Sequence, residues 1–221
     1  LVESGSGERG IFNREASKKQ AAKYGRRDPN YEFGTNPCSE IILRPYQFCN
    51  LTEVVVRATD TYDDLARKVR LATILGTIQS TFTKFPYLRK VWQRNTEEER
   101  LLGVSLTGIM DNPLMTTKNK KLEKTLANLR EVAVSTNLKY ANRLGIPQST
   151  SITCVKPSGT VSQLVDSASG IHARHSNHYI RTVRGDNKDP LTQFMMDQGI
   201  PNEPCVMKGD TTTVFSFPIK S

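Results

Sequence analysis

Two long stretches of helical periodicity, set among short apolar or alternating runs, restrict this chain to an α/β architecture. Over residues 63–84, Leu65, Val69, Ala72, Leu75, Ile78 and Phe82 recur at helical spacing. Over 121–144, Leu122, Leu126, Leu129 and Ala133 do the same, until Gly145 and Pro147 stop the pattern. The strand-like runs are Ile41-Ile42-Leu43, Ser151-Ile152-Thr153-Cys154-Val155, 179–184 and 211–217. A chain that switches between periods of 3.6 and 2 buries its apolar faces by packing helices on a sheet. Smaller signals fill in the remainder. Residues 13–24 read as a basic helix, and Thr96-x-x-Glu99 reads as a capping box ahead of Leu101 and Leu102. Asp189-Pro190 forms the N-cap and N1 of a short helix ending at Gly199. With no repeat, low-complexity tract or linker, 1–221 reads as a single segment.

Composition narrows the class. At 37% hydrophobic and 24% charged residues the chain has an ordinary globular balance. No apolar run approaches the ~18–20 residues that span a bilayer, so no membrane partner is expected. The opening Leu1-Val2-Glu3-Ser4-Gly5 has neither the basic start nor the apolar stretch of a signal peptide, and no initiator methionine. It reads as part of a longer protein. Four cysteines, at 38, 49, 154 and 205, form no CxxC pair, which points to a reducing, cytoplasmic compartment with free thiols. The net charge of +9 comes from scattered residues, with one modest run of Lys18, Lys19, Lys23, Arg26 and Arg27 that reads as a solvated face. A positive field suits small polyanions such as nucleotides. The aromatic-basic interleaving of a nucleic-acid binder is missing, so no nucleic-acid partner is expected.

Three local patterns carry chemistry. Asn36-Pro37-Cys38-Ser39-Glu40 places an amide, a thiol and a carboxylate at alternate positions, which an extended segment would present to one side. Pro37 favours an extended Asn36; a helical geometry would scatter the three groups. A second thiol, Cys49 in Phe48-Cys49-Asn50-Leu51, follows eleven residues after Cys38. The two could form a disulfide only if the chain folds back to within about 7 Å. Third, the strand at 151–155 runs into Pro157-Ser158-Gly159-Thr160 and a helical start that includes Ser162. Free backbone N–H groups and hydroxyls at such a turn suit a phosphate, although this is not a G-x-x-x-x-G-K loop. Cys154 in its apolar strand reads as core, and Cys205 stands in none of these patterns.

Together these patterns resemble the catalytic half of ribonucleotide reductases. Leu71-Ala72-Thr73-Ile74-Leu75-Gly76-Thr77-Ile78-Gln79, the run at 98–108, and Gly170-Ile171-His172 followed by Tyr179-Ile180-Arg181 extend the likeness over nearly the whole chain. The Pro-Ser-Gly-Thr turn and the opening Ser6-Gly7-Glu8-Arg9-Gly10-Ile11-Phe12-Asn13-Arg14 are similar to the adenosylcobalamin-dependent class II enzymes. Cys49-Asn50-Leu51-Thr52-Glu53-Val54 looks closest to their monomeric, triphosphate-reducing branch. Arg9 stands where proline is more frequent, and Ser39 where glycine is common.

The resemblance implies part of a ten-stranded α/β barrel with Cys38 on a finger loop. Cys38 would become a thiyl radical and remove the 3′ hydrogen of a ribonucleotide, Glu40 would act as general base, and Asn36 would hold the sugar hydroxyls. Cys49 would be one of two reducing thiols, the other lying upstream of this segment. Pro157, Ser158, Gly159, Thr160 and Ser162 would hold the phosphates. The implied cofactor is adenosylcobalamin, and the implied partners are a ribonucleotide, thioredoxin or a similar dithiol, and a dNTP effector bound outside this segment. The diiron class I large subunit is the alternative within the family. Outside it stands a metal-binding protein using His172, His175 and His178, but on a helix the first and third lie about 240° apart, so no metal site is expected.

Overall fold

The computed structural model describes residues 3, 5, 10–116 and 120–221. The opening motif at residues 6–9 lies outside them. The chain divides into two compact units, Leu1–Ala173 and Arg174–Ser221.

The first unit contains, in chain order, α1 (Arg14–Ala22), β1 (Gly34–Thr35), β2 (Ile42–Leu43), β3 (Asn50–Val55), α2 (Tyr62–Gln79), α3 (Lys90–Glu99), β4 (Leu102–Thr107), α4 (Pro113–Thr116), α5 (Lys120–Leu144) and α6 (Thr160–Leu164). Strands β3 and β4 pair in parallel, from Asn50 opposite Leu102 to Val55 opposite Thr107. Thr153 bridges Val104, also in parallel. The run expected as a third strand therefore contributes a single bridge. Parallel neighbours need a long crossover: α2 and α3 fill the first, and α5 lies in the second.

One side of these strands is the core. Val54, Val56, Leu102, Val104 and Ile152 pack with Leu65 and Val69 of α2 and Leu129 and Ala133 of α5. Each of the Val, Leu and Ile side chains, fully buried, contributes roughly 1.5–3 kcal/mol. Alternation then sends Leu51 and Glu53 of β3, and Gly103, Ser105 and Thr107 of β4, to the opposite side.

Three expectations change. Thr96 and Glu99 do not open a helix. They close α3, with Arg100 at φ 47 as its left-handed C-cap, and Leu102 already belongs to β4. The capping box is instead Thr61 with Asp64, at the start of α2. The apolar residues of α2 also form two stripes rather than one. Leu65, Val69, Thr73, Gly76 and Thr77 are buried, whereas Leu71, Leu75 and Ile78 are 43–56% exposed and Phe82, past the end of the helix, is 71% exposed. Finally, Arg27 is no part of a solvated face. It is buried and grips Glu99 through two bonds of 2.9 Å each, with both side chains only 4% exposed.

The second unit holds β5 (His178–Asp186), α7 (Pro190–Asp197), β6 (Asn202–Pro204) and β7 (Thr212–Lys220) in an antiparallel sheet of order β5-β7-β6. Asp189 caps α7 by accepting from Leu191 N, and Gly199 beyond its end takes φ 70, as the sequence leads one to expect. Among the described residues no helix is long and apolar enough to cross a membrane.

Candidate active site

The Asn-Pro-Cys-Ser-Glu segment is the tip of a hairpin. Strands β1 and β2 pair antiparallel, Gly34 with Leu43 and Thr35 with Ile42, and residues 36–41 join them. Ser39 N donates to Asn36 O at 3.0 Å, which closes a β-turn with Asn at its first position and Pro at its second, where each residue type is favoured. Cys38 sits at the exposed corner. Ser39 takes φ 64, a left-handed conformation that accommodates glycine best. Chain reversal, rather than strand alternation, brings the flanking groups together. Asn36 Nδ2 donates to Glu40 Oε2 at 2.6 Å, and Asn36 Oδ1 accepts from Ile41 N at 3.0 Å.

Arg27 fixes the return strand of this hairpin. Its Nη1 donates to Ile42 O at 2.8 Å while the rest of the guanidinium holds Glu99 and Gln47. The hairpin is thus tied to the residue that ends α3, just before β4.

Along the side of the strands turned away from the helices, the chemistry-bearing groups follow one another. Cys49 precedes β3. A Cβ on Gly103 would clash with Leu51 Cδ2 and come within 3.0 Å of both Ile41 Cδ1 and Cys154 Sγ, so the missing side chain makes room for the hairpin residue Ile41 and a thiol. Ser105 Oγ accepts from Lys156 N at 2.9 Å, and Lys156 Nζ pairs with Glu53 Oε2 at 3.0 Å.

The 157–162 turn lies just past the strand-like run carrying Thr153. Helix α6 is only five residues long, so its dipole is small. The turn is shaped by hydroxyls. Ser162, fully buried, donates to Gly159 O at 2.6 Å, and Ser169 donates to Ser158 O. Gly170, at φ 54, packs against this backbone, where a Cβ would stand 3.1 Å from Lys156 O. Ser158 is 2% exposed, and its Oγ has no hydrogen-bond partner. At Gly159 the space a Cβ would enter is open.

All four cysteines are free thiols. Burial pushes the Cys49 thiol up, and the Glu40 carboxylate pushes it further. Cys154 is pushed up to about 12 by burial first, then by Glu40 and Cys49, against a hydrogen bond with Ser105. In the second unit the Cys205 thiol is held down by the Met207 backbone first, then by Arg184 and the Lys208 backbone.

No family model matches the sequence. The adenosylcobalamin-dependent ribonucleoside-triphosphate reductase of Lactobacillus gasseri is 31% identical over 98% of this chain and 32% of its own length. The enzyme of the same name from Lactobacillus leichmannii is 30% identical with the same coverage. That of Euglena gracilis is 28% identical over 95% of this chain and 28% of its own. The crystal structure of a B12-dependent (class II) ribonucleotide reductase superposes with a TM-score of 0.70 at 27% identity, covering 85% of this chain and 29% of that one. The chain is homologous to a segment of the adenosylcobalamin-dependent ribonucleotide reductases. It spans about a third of the length of these relatives.

With this reductase kinship, the fate of each expected site residue can be stated. Asn36, Cys38 and Glu40 share one turn, and the charge of Glu40 acts on Cys49. Pro157, Ser158, Gly159 and Thr160 share another turn, where Ser162 spends its hydroxyl on the backbone. Cys154, expected in the core, is instead half-buried within reach of Glu40 and Cys49. The ion pair of Lys156 with Glu53 lies alongside and was not read in the sequence, although Cys154 and Lys156 share strand parity, as do Cys49 and Glu53. Among the described residues no group of three or more His, Cys, Asp or Glu could hold a metal ion, and His172, His175 and His178 build none.

The thiol electrostatics give an expected result. A raised thiol pKa leaves less thiolate at a given pH, and thiolate is the species that alkylates. Of the two raised thiols, Cys154 should therefore label more slowly with iodoacetamide at pH 8. Glu40→Gln removes the negative charge, lowers both pKa values and moves both labelling curves to lower pH. Mass-spectrometric labelling profiles that do not move on this substitution would show that Glu40 does not act on these thiols.

Proposed function

We propose that the protein containing this chain reduces ribonucleotides, as triphosphates, to 2′-deoxyribonucleotides for DNA synthesis, by thiyl-radical chemistry. Both units belong, in this reading, to one catalytic segment that supplies part of a ten-stranded α/β barrel, with the 36–41 hairpin tip as its finger loop. The observation that carries the reading is the finger itself. One turn presents an exposed Cys38 between Asn36 and Glu40, and the charge of Glu40 reaches the Cys49 thiol.

Each residue has a definite task. Cys38, as a thiyl radical, takes the 3′ hydrogen, breaking C–H and forming S–H. Asn36 and Glu40 already share a hydrogen bond, so Glu40 is oriented to accept the 3′-hydroxyl proton, and Asn36 keeps a second N–H for the sugar. The 2′ hydroxyl takes a proton from one thiol of the reducing pair and leaves as water, and the 2′ carbon takes hydrogen from the other. Two electrons come from Cys49 and a second thiol upstream of this chain, which end as a disulfide; Cys38 then returns hydrogen to the 3′ carbon. A thiol pushed up in pKa stays protonated at neutral pH, which suits Cys49 as a donor of hydrogen. The open side of Gly159 and the unpartnered Ser158 hydroxyl, with Pro157 and Thr160, suit a phosphate, and Ser162 keeps the turn in shape.

A side chain does not generate such a radical unaided. Adenosylcobalamin, when bound, supplies the one-electron oxidation of the Cys38 thiol. The residues present fit this group at one point, the exposed position of Cys38, which leaves the thiol open to a large neighbour. No residue of this chain is assigned to hold the corrin. Thioredoxin or a similar dithiol, a dNTP effector bound elsewhere, and a cytoplasmic location complete the proposal. The complete protein should form deoxyribonucleotides when given adenosylcobalamin and a dithiol, without a second subunit. Activity that requires a diiron subunit and ignores adenosylcobalamin would move the protein to class I.

A further inference from the structure

Between the reducing thiol and the phosphate turn lies a carboxylate to which the mechanism gives no task. Glu53 is on the same side of β3 as Cys49, four residues and about 13 Å further along the strand. Its side chain is 90% buried, with only 10% exposed. Oε2 is held by Lys156 at 3.0 Å, while Oε1 is buried with no hydrogen-bond partner. A buried acceptor left unmade costs roughly 1–3 kcal/mol, and more when charged, so this oxygen is built to meet a donor. Two residues beyond Lys156, the Ser158 hydroxyl is buried and equally unpartnered. Two orphaned groups of different chemistry, one acceptor-only and one a hydroxyl, thus belong to a single connected stretch of the site.

We propose that Glu53 is a substrate-contact residue. Its free carboxylate oxygen accepts a hydrogen bond from an O–H or N–H group of the bound nucleotide, and Lys156 is the positioning residue that holds the carboxylate in place and balances its charge beside the phosphates. Lys156 is itself fixed by its backbone bond to Ser105, so the contact is preorganised by β3, β4 and the strand run before the turn. This inference rests on the ribonucleotide-reducing reading of the site.

The test uses the complete protein with Glu53→Gln, close in shape but uncharged, and Glu53→Asp, which keeps the charge and draws the free oxygen back. Equilibrium binding of ribonucleoside triphosphates should weaken about tenfold or more in both, while binding of inorganic tripolyphosphate, which engages only the phosphate turn, should not weaken. The loss should disappear for the nucleotide lacking the donor. 2′-Deoxy and 3′-deoxy nucleotides report on the ribose hydroxyls, and cytidine against uridine nucleotides reports on an exocyclic amine. Should Glu53→Gln lose tripolyphosphate binding as well, its fold is at fault and Glu53→Asp decides. If the variants bind every nucleotide as the unchanged protein does, solvent meets the oxygen and the proposal is wrong. A complete protein that binds no ribonucleotide before any substitution would overturn the underlying reading instead.

Discussion

Replacing Cys38 by serine in the complete protein should abolish ribonucleotide reduction while leaving nucleotide binding and the fold intact. Cys38 occupies the exposed corner of the Asn36–Ser39 turn, and the substitution changes one atom. Surface substitutions of this kind usually shift stability by no more than ~0.5 kcal/mol. The chemistry is far less tolerant. An alcohol O–H bond is much stronger than a thiol S–H bond, so serine is not converted to a radical by the same oxidant. Asn36 and Glu40 stay in place, because their mutual bond does not involve Cys38. Turnover in the Cys38→Ser protein should fall to the detection limit with substrate affinity retained. Near-normal turnover would remove Cys38 from the mechanism.

The second large effect concerns stability. Glu99→Ala should destabilise the fold by about 3–5 kcal/mol, the usual result of stripping one partner from a buried ion pair. Arg27 would be left buried with its charge unmet, and it also bonds Ile42 O and Gln47. Joint replacement by apolar residues, Arg27→Met with Glu99→Leu, should recover part of the loss because no lone charge remains. Arg27→Lys should fall between, since one ammonium cannot reproduce the two-bond grip on Glu99 and the bond to Ile42. Urea unfolding monitors stability, and hydrogen exchange at 36–41 reports whether the hairpin loosens with it. A single-site Glu99→Ala effect below about 1 kcal/mol would show the pair to be dispensable.

The helices were legible because their periodicity is long. The 63–84 and 121–144 patterns became α2 and α5, and the Asp189-Pro190 cap began α7 where expected. Strands β3 and β4 were not read, although Thr52, Val54 and Val56 alternate with Leu51, Glu53 and Val55. Parallel pairing joins residues some fifty positions apart, and no local signal announces it. The misplaced capping box has the same origin: Thr96 and Glu99 fit the motif, but tertiary contacts bury Thr96 and give Glu99 to Arg27. For α2, one apolar count merged a buried and an exposed stripe, because composition alone does not say which face meets the sheet. The residues Asn36, Cys38 and Glu40 stood out by their types. Their convergence through a turn needed the left-handed Ser39, which serine does not advertise.

The tie between Arg27 and Glu99 also sets an order in time. Glu99 is added to the growing chain 61 residues after Cys38, which at ~5–20 residues per second is a delay of roughly 3–12 s. Until then the hairpin bearing the thiol has neither its anchor nor the strand β4 beneath it. The site is therefore completed by the arrival of distant sequence, and a ribosome paused between these two positions would hold a hairpin with nothing to brace it.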